Sequence, residues 1–190
     1  MARVIVGAIL GTVVLYVWGM VSWMVLPWHN ATMQPVPDEK NLVAQIEHKM
    51  PGAGLYYFPD WPEDQSEQAM AAFNRRHERG PVGFIIKAAG GPVMAPSVMA
   101  TGALIDLIAA MIAAWLLWLA RGSLPTYAHR VGFLLLMGLF VGVVADATYW
   151  NWMHFPADYS VVMIADRGVA FLLAGLVIAI LVREVKREGG

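Results

Sequence analysis

Residues 4–26 read VIVGAILGTVVLYVWGMVSWMVL, an apolar run with no charged side chain, closed by Pro27. A bilayer core of about 30 Å takes roughly 20 apolar residues as helix, because no water is there to satisfy the backbone. The run is long enough to span. It exceeds the apolar stretch of a cleaved signal peptide, and no A-x-A-like site follows it, so it is expected to stay as a signal anchor. Three further runs qualify: 97–120 with one charge (Asp106), 131–150 with one (Asp146), and 160–182 with the adjacent pair Asp166 and Arg167. The fold class expected is all-α: a four-helix transmembrane bundle with a small α/β extramembrane insert between helices 1 and 2.

Composition agrees. Of 190 residues, 58% are hydrophobic and 14% charged, against about 45–50% and 25% in soluble chains. With 13 basic and 14 acidic residues the net charge is -1, so no basic field would gather nucleic acid. The absence of cysteine excludes disulfides, thiol nucleophiles and any thiolate-ligated cofactor. Composition leaves the identity of any other cofactor open.

Orientation follows from short loops. Arg3 precedes the first span, Arg121, His129 and Arg130 bracket the second connection, and Arg183, Lys186 and Arg187 follow the fourth span, whereas 151–159 has no Lys or Arg. For a bacterial inner membrane both termini are then cytoplasmic. The expected division is helix 1 (1–28), a periplasmic insert (29–96), helix 2 (97–120), a cytoplasmic loop (121–130), helix 3 (131–150), an external loop (151–159), helix 4 (160–182) and a cytoplasmic tail (183–190).

The insert reads α-β-α-β. Asp38 can cap a helix carrying Leu42, Val43, Ile46 and Met50 on one face. Gly54 to Phe58 is a strand, a second helix runs from about Asp64 to Glu78, and Val82 to Lys87 is a second strand. The β-α-β order leads us to expect parallel pairing. About 60 residues make a poor independent core, so the insert is expected to pack on the helix ends or on a partner.

Gly7 and Gly11 in helix 1, and Gly138 and Gly142 in helix 3, form small-xxx-small patterns that permit close helix approach. An ionised side chain in hydrocarbon costs at least about 2.5–3.5 kcal/mol, so the four charges stand out. Asp106, Asp146, Asp166 and Arg167 all fall in the outer half of the membrane on this topology, with Asp146 continuing the glycine face into the bundle. His29, Asn151, Trp152 and His154 share that level, within a set of interfacial aromatics that includes Trp18, Trp23 and Trp28. Three readings compete. Arg167 neutralises one aspartate while indole or amide donors satisfy the rest; or the surplus carboxylates form a proton- or cation-binding cavity; or His29, His154 and aspartates hold a metal, although no H-x3-H or H-E-x-x-H spacing supports that.

Residues 17–29 (VWGMVSWMVLPWH) and 150–159 (WNWMHFPADY) resemble a family of bacterial four-span inner-membrane proteins with a Pro-Trp-His end to span one and W-N-W before span four. The resemblance implies that the aromatic, Asn and His positions at that end belong to the family pattern, and it brings no assigned activity. No P-loop or G-x-S-x-G pattern points to catalysis. The leading expectation is a non-catalytic membrane subunit or scaffold, with the bilayer and other membrane subunits, or copies of itself, as partners. The alternatives are a small proton- or ion-coupled carrier or sensor using the Asp/Arg cluster, and a metal-dependent enzyme at the periplasmic face.

Overall fold

The computed structural model describes residues 1–183; Lys186 and Arg187, used above for orientation, lie outside them. Helix α1 is Ala2–Met24, α2 Glu39–Lys49, strand β1 Gly54–Phe58, α3 Glu67–Arg79, β2 Gly83–Lys87 and α4 Pro96–Ala120. Helix α5 (Tyr127–Gly142) passes through a π-helical stretch, Val143–Ala147, into α6 (Thr148–Met153), and α7 is Ala157–Leu181. Among the described residues, four helical stretches are long and apolar enough to cross a membrane: Ala2–Met24, Pro96–Ser123, Tyr127–Met153 and Ala157–Leu181. The ends differ from expectation where caps decide them. Pro96 opens α4 at its first turn, and Thr126 accepts a hydrogen bond from His129 N at the start of α5, as prolines and hydroxyl caps do.

Helix α7 packs along both α5 and α1, and α1 along α4, while α4 scarcely touches α5 or α7. The interior is built from small side chains: Ala8, Ala110, Ala113, Ala114, Ala174 and Ala179 are buried, joined by Leu117, Leu134 and Ile178. Large ones face outward, as Ile5, Ile9, Val13 and Val17 do along α1. Lipid is as apolar as leucine, so a membrane bundle gains from close packing of small residues and loses nothing by exposing large ones.

The four glycines serve this packing inside the chain. A Cβ on Gly138 would stand 2.5 Å from the backbone oxygen of Arg167, and one on Gly142 2.9 Å from Ile164 Cα. At Gly11 it would meet Ile178 Cδ1 at 2.7 Å, and at Gly7 Val182 Cγ2 at 3.5 Å. Both pairs are therefore occupied by α7. At the opposite end of the bundle from the insert, Arg130 is buried, donating from Nε to Ala179 O at 3.2 Å and from Nη1 to Leu124 O and Pro125 O. It satisfies a carbonyl in the last turn of α7 that the helix itself leaves free.

The insert departs from expectation in its pairing. β1 and β2 are antiparallel, with Phe58 opposite Gly83 and Gly54 opposite Lys87. A parallel pair would require the connection to cross the sheet's length. Here the segment bearing α3 leaves and re-enters at the same end of the sheet, held by Trp61 on Phe73 at 4.8 Å. Helix α3 also begins later than expected. Ser66 N and Oγ donate to the Asp64 carboxylate, which holds it below the usual carboxylate range, and Ser66 Oγ then accepts from Ala69 N. Asp38 does precede α2, but it makes no side-chain cap bond.

Gly138→Ala is expected to lower thermal stability in detergent by about 1–3 kcal/mol, the usual cost of forcing volume into a packed contact. Gly19→Ala, where a Cβ meets nothing within 4 Å, is expected to leave melting unchanged. Equal melting of the two variants would contradict this helix contact.

Candidate functional site

Trp18 and Ser22 lie one turn apart on α1, on the face turned to α7. Beyond Met24 the chain doubles back through Pro27, and a single 3₁₀ turn at Asn30–Thr32 fixes the reversal, with Thr32 Oγ1 donating to His29 O at 2.8 Å. Trp28 and His29 are thereby returned against α1. Ser22 Oγ donates to Asp166 Oδ1 at 2.7 Å, and Trp18 Nε1 donates to the same oxygen at 2.7 Å. Ser22 Oγ also lies 2.9 Å from His29 Nε2 and accepts from Trp28 Nε1 at 3.1 Å. His29 Nε2 stands 3.6 Å from Asp166 Oδ2.

The donor count assigns the imidazole. The serine proton goes to the carboxylate, so Ser22 Oγ can only accept from His29, which makes Nε2 the protonated nitrogen. Nδ1 is buried with no hydrogen-bond partner among the described residues. The ring is clamped by Trp23, stacked at 3.9 Å and 5°, and by Trp28, edge-on at 5.5 Å. Serine, histidine and aspartate together invite comparison with a nucleophilic triad, and the geometry differs. In a triad the imidazole bridges, one nitrogen to serine and the other to the carboxylate. Here Nε2 faces both, and Ser22 and His29 each have 0% exposure. The arrangement ties α1 and its return loop to α7.

The second polar group is an ion pair. Arg167 donates from Nε to Asp146 Oδ2 at 2.5 Å and from Nη2 to Asp146 Oδ1 at 3.1 Å, a two-pronged match of guanidinium and carboxylate. Asp146 is buried and sits in the π-helical stretch, where the wider turn alters the direction in which a side chain leaves the helix. Asp106 joins neither group. It is half-buried on α4 and has no hydrogen-bond or ion-pair partner among the described residues. Because α4 packs on α1 and hardly on α5 or α7, a side chain there does not reach the other carboxylates.

The remaining interfacial residues gather elsewhere. Asn151, Trp152 and His154 face Trp61, Phe73, Asn74, His77 and Glu78 of the insert across a groove of about 540 Å³. His29 and His154 therefore belong to separate sites, and among the described residues no three His, Asp or Glu side chains converge as a metal-ligand set. Sequence reading missed Ser22 and His77. A hydroxyl one turn from Trp18 inside an uncharged span was the available signal for the first; nothing local marks the second.

Asp146→Leu is expected to destabilise more than the double change Asp146→Leu/Arg167→Leu, with a coupling of about 0.5–3 kcal/mol in a double-mutant cycle, because the single change leaves a cation unpaired. Ser22→Ala, which strips Asp166, His29 and Trp28 of a shared partner, is expected to cost about 1–3 kcal/mol. Thermal unfolding in detergent reads both. No protein family, curated protein or solved structure matches this chain.

Proposed function

We propose that the chain is a non-catalytic integral subunit or scaffold of a membrane complex in a bacterial inner membrane. Both termini lie in the cytoplasm and the insert in the periplasm, where it engages another membrane subunit or a second copy of the chain. The supporting observation is one face of the two-stranded sheet. Leu55, Tyr57, Phe84 and Ile86 lie on it together by the pairing register, and they are 63%, 52%, 37% and 76% exposed. Contiguous apolar surface of this kind marks interaction sites. The glycine faces, by contrast, are filled by α7, so association falls to the insert. The sealed Ser22–His29–Asp166 group fits a part that holds helices together.

Extraction in a mild detergent is expected to yield a stable complex or oligomer. Leu55→Asp/Ile86→Asp is expected to dissociate it while the melting of the isolated chain is preserved. A wild-type protein that runs as a lone monomer, with nothing co-purifying, would count against the reading.

A second reading is a proton-responsive sensor or carrier. It is favoured by His29, a buried imidazole whose Nε2 stands 3.6 Å from Asp166 Oδ2 and whose Nδ1 meets no hydrogen-bond partner among the described residues. On that reading Asp166→Asn abolishes a pH response or transport in reconstituted vesicles without unfolding the protein. Retained activity would make the group structural.

A further inference from the structure

The groove between the insert and the bundle contains two histidines that come from chain segments far apart in sequence. His77 is near the end of α3, and His154 follows α6; their ring centroids are 5.5 Å apart and the planes are inclined at 58°. Two imidazoles on one tetrahedral zinc, at about 2.0 Å per Zn–N bond, would place their ring centroids about 5 Å apart. The observed centroid separation is close to that value.

The backbone at His154 is a second observation. It closes α6 in the left-handed region, at φ 58. A helix end of this type ordinarily takes glycine, sometimes asparagine. A histidine held there is strained, and such strain concentrates where a side chain has a task. Glu78 lines the same groove, adding negative charge. The nearby Arg76 is turned away, donating from Nη2 to Asp60 O at 3.2 Å.

We propose that His77 and His154 form a two-nitrogen site for a divalent transition metal of the zinc class, which clips the insert to the end of the bundle. Neutral imidazole suits zinc, copper and nickel. With two protein nitrogens, the other coordination positions are left to water, so the ion is taken up reversibly. The mechanical consequence is large because the insert has few other contacts with the spanning helices. Neither histidine takes part in the Ser22–His29–Asp166 group or the sheet face, so the site stands independently of the subunit reading.

The test titrates Zn²⁺ alone into the detergent-solubilised full chain at neutral pH, by calorimetry, with amide hydrogen exchange read in α3. The wild type is expected to bind one ion per chain and to slow exchange in α3. His77→Gln and His154→Asn, the latter a residue that tolerates the left-handed backbone, are each expected to weaken binding by about tenfold or more, since each removes the second of two tethered ligands. Both should remove the protection of α3. His48→Gln, an exposed histidine on α2, is expected to change neither. Metal-free melting of all four proteins separates loss of the site from loss of the fold. The proposal fails if the wild type shows no saturable site, if both groove variants bind as the wild type does, or if His48→Gln weakens binding as much as they do.

Discussion

Backbone-to-backbone approach between α7 and its two neighbours is the constraint on which the rest of the structure depends. With lipid outside there is no hydrophobic gain in joining two helices, so attraction has to come from close contact and from polar groups that find each other. Gly138 and Gly142 bring α5 onto α7, and Gly7 and Gly11 bring α1 onto its other side. Only at that separation can short side chains bridge. Ser22, with a single rotatable hydroxyl, meets a carboxylate on α7 at 2.7 Å, and Asp146, barely longer, meets Arg167. The glycines therefore act twice, once through packing and once by making the polar links short enough to form.

The two polar groups differ in kind. Arg167 and Asp146 neutralise each other through a two-pronged contact of guanidinium and carboxylate, the geometry that best offsets the desolvation of an ion pair. Asp166 has no such neighbour in hydrogen-bond contact among the described residues; neutral donors, an indole and a hydroxyl, satisfy it. A carboxylate solvated in this way depends on all its donors being held in place, and the reversal at Pro27 and the stacking of Trp23 on His29 hold them. The tryptophans of that region are thus more than interfacial anchors, because Trp18 and Trp28 each spend their N–H on this group.

Much of the architecture was legible in the sequence because a bilayer imposes a one-dimensional rule: length and apolarity along the chain. The four spans obey it, and the depth of each charge follows from counting residues. Rotation about a helix axis is less visible. The presence of one arginine among three aspartates predicts an ion pair, but whether Asp106, Asp146 or Asp166 takes it depends on which helices touch. Asp106 shares the depth of the others and is separated from them by the packing of α4. The antiparallel pairing of β1 and β2 departs from the expected one for a related reason. The β-α-β rule presumes a helix lying across a sheet, and Trp61 and Phe73 draw α3 to the sheet's end instead. Ser22 and His77 acquire their roles only through chain reversal and through contact between distant segments, neither of which leaves a periodic signature.

The π-helical stretch at Val143–Ala147 has a consequence for how this chain tolerates changes in length. A π turn accommodates one residue more than the α-helix it interrupts, and each α-helical residue turns the axis by about 100°. Deleting one residue there would restore a regular helix and rotate everything after it against everything before. The Asp146 side of the stretch and the Trp152–His154 side would then be out of phase, so that one could face its partner only if the other did not. The irregular turn is in this sense a phase adjuster: it lets a single long helix address α7 at one depth and the insert at another.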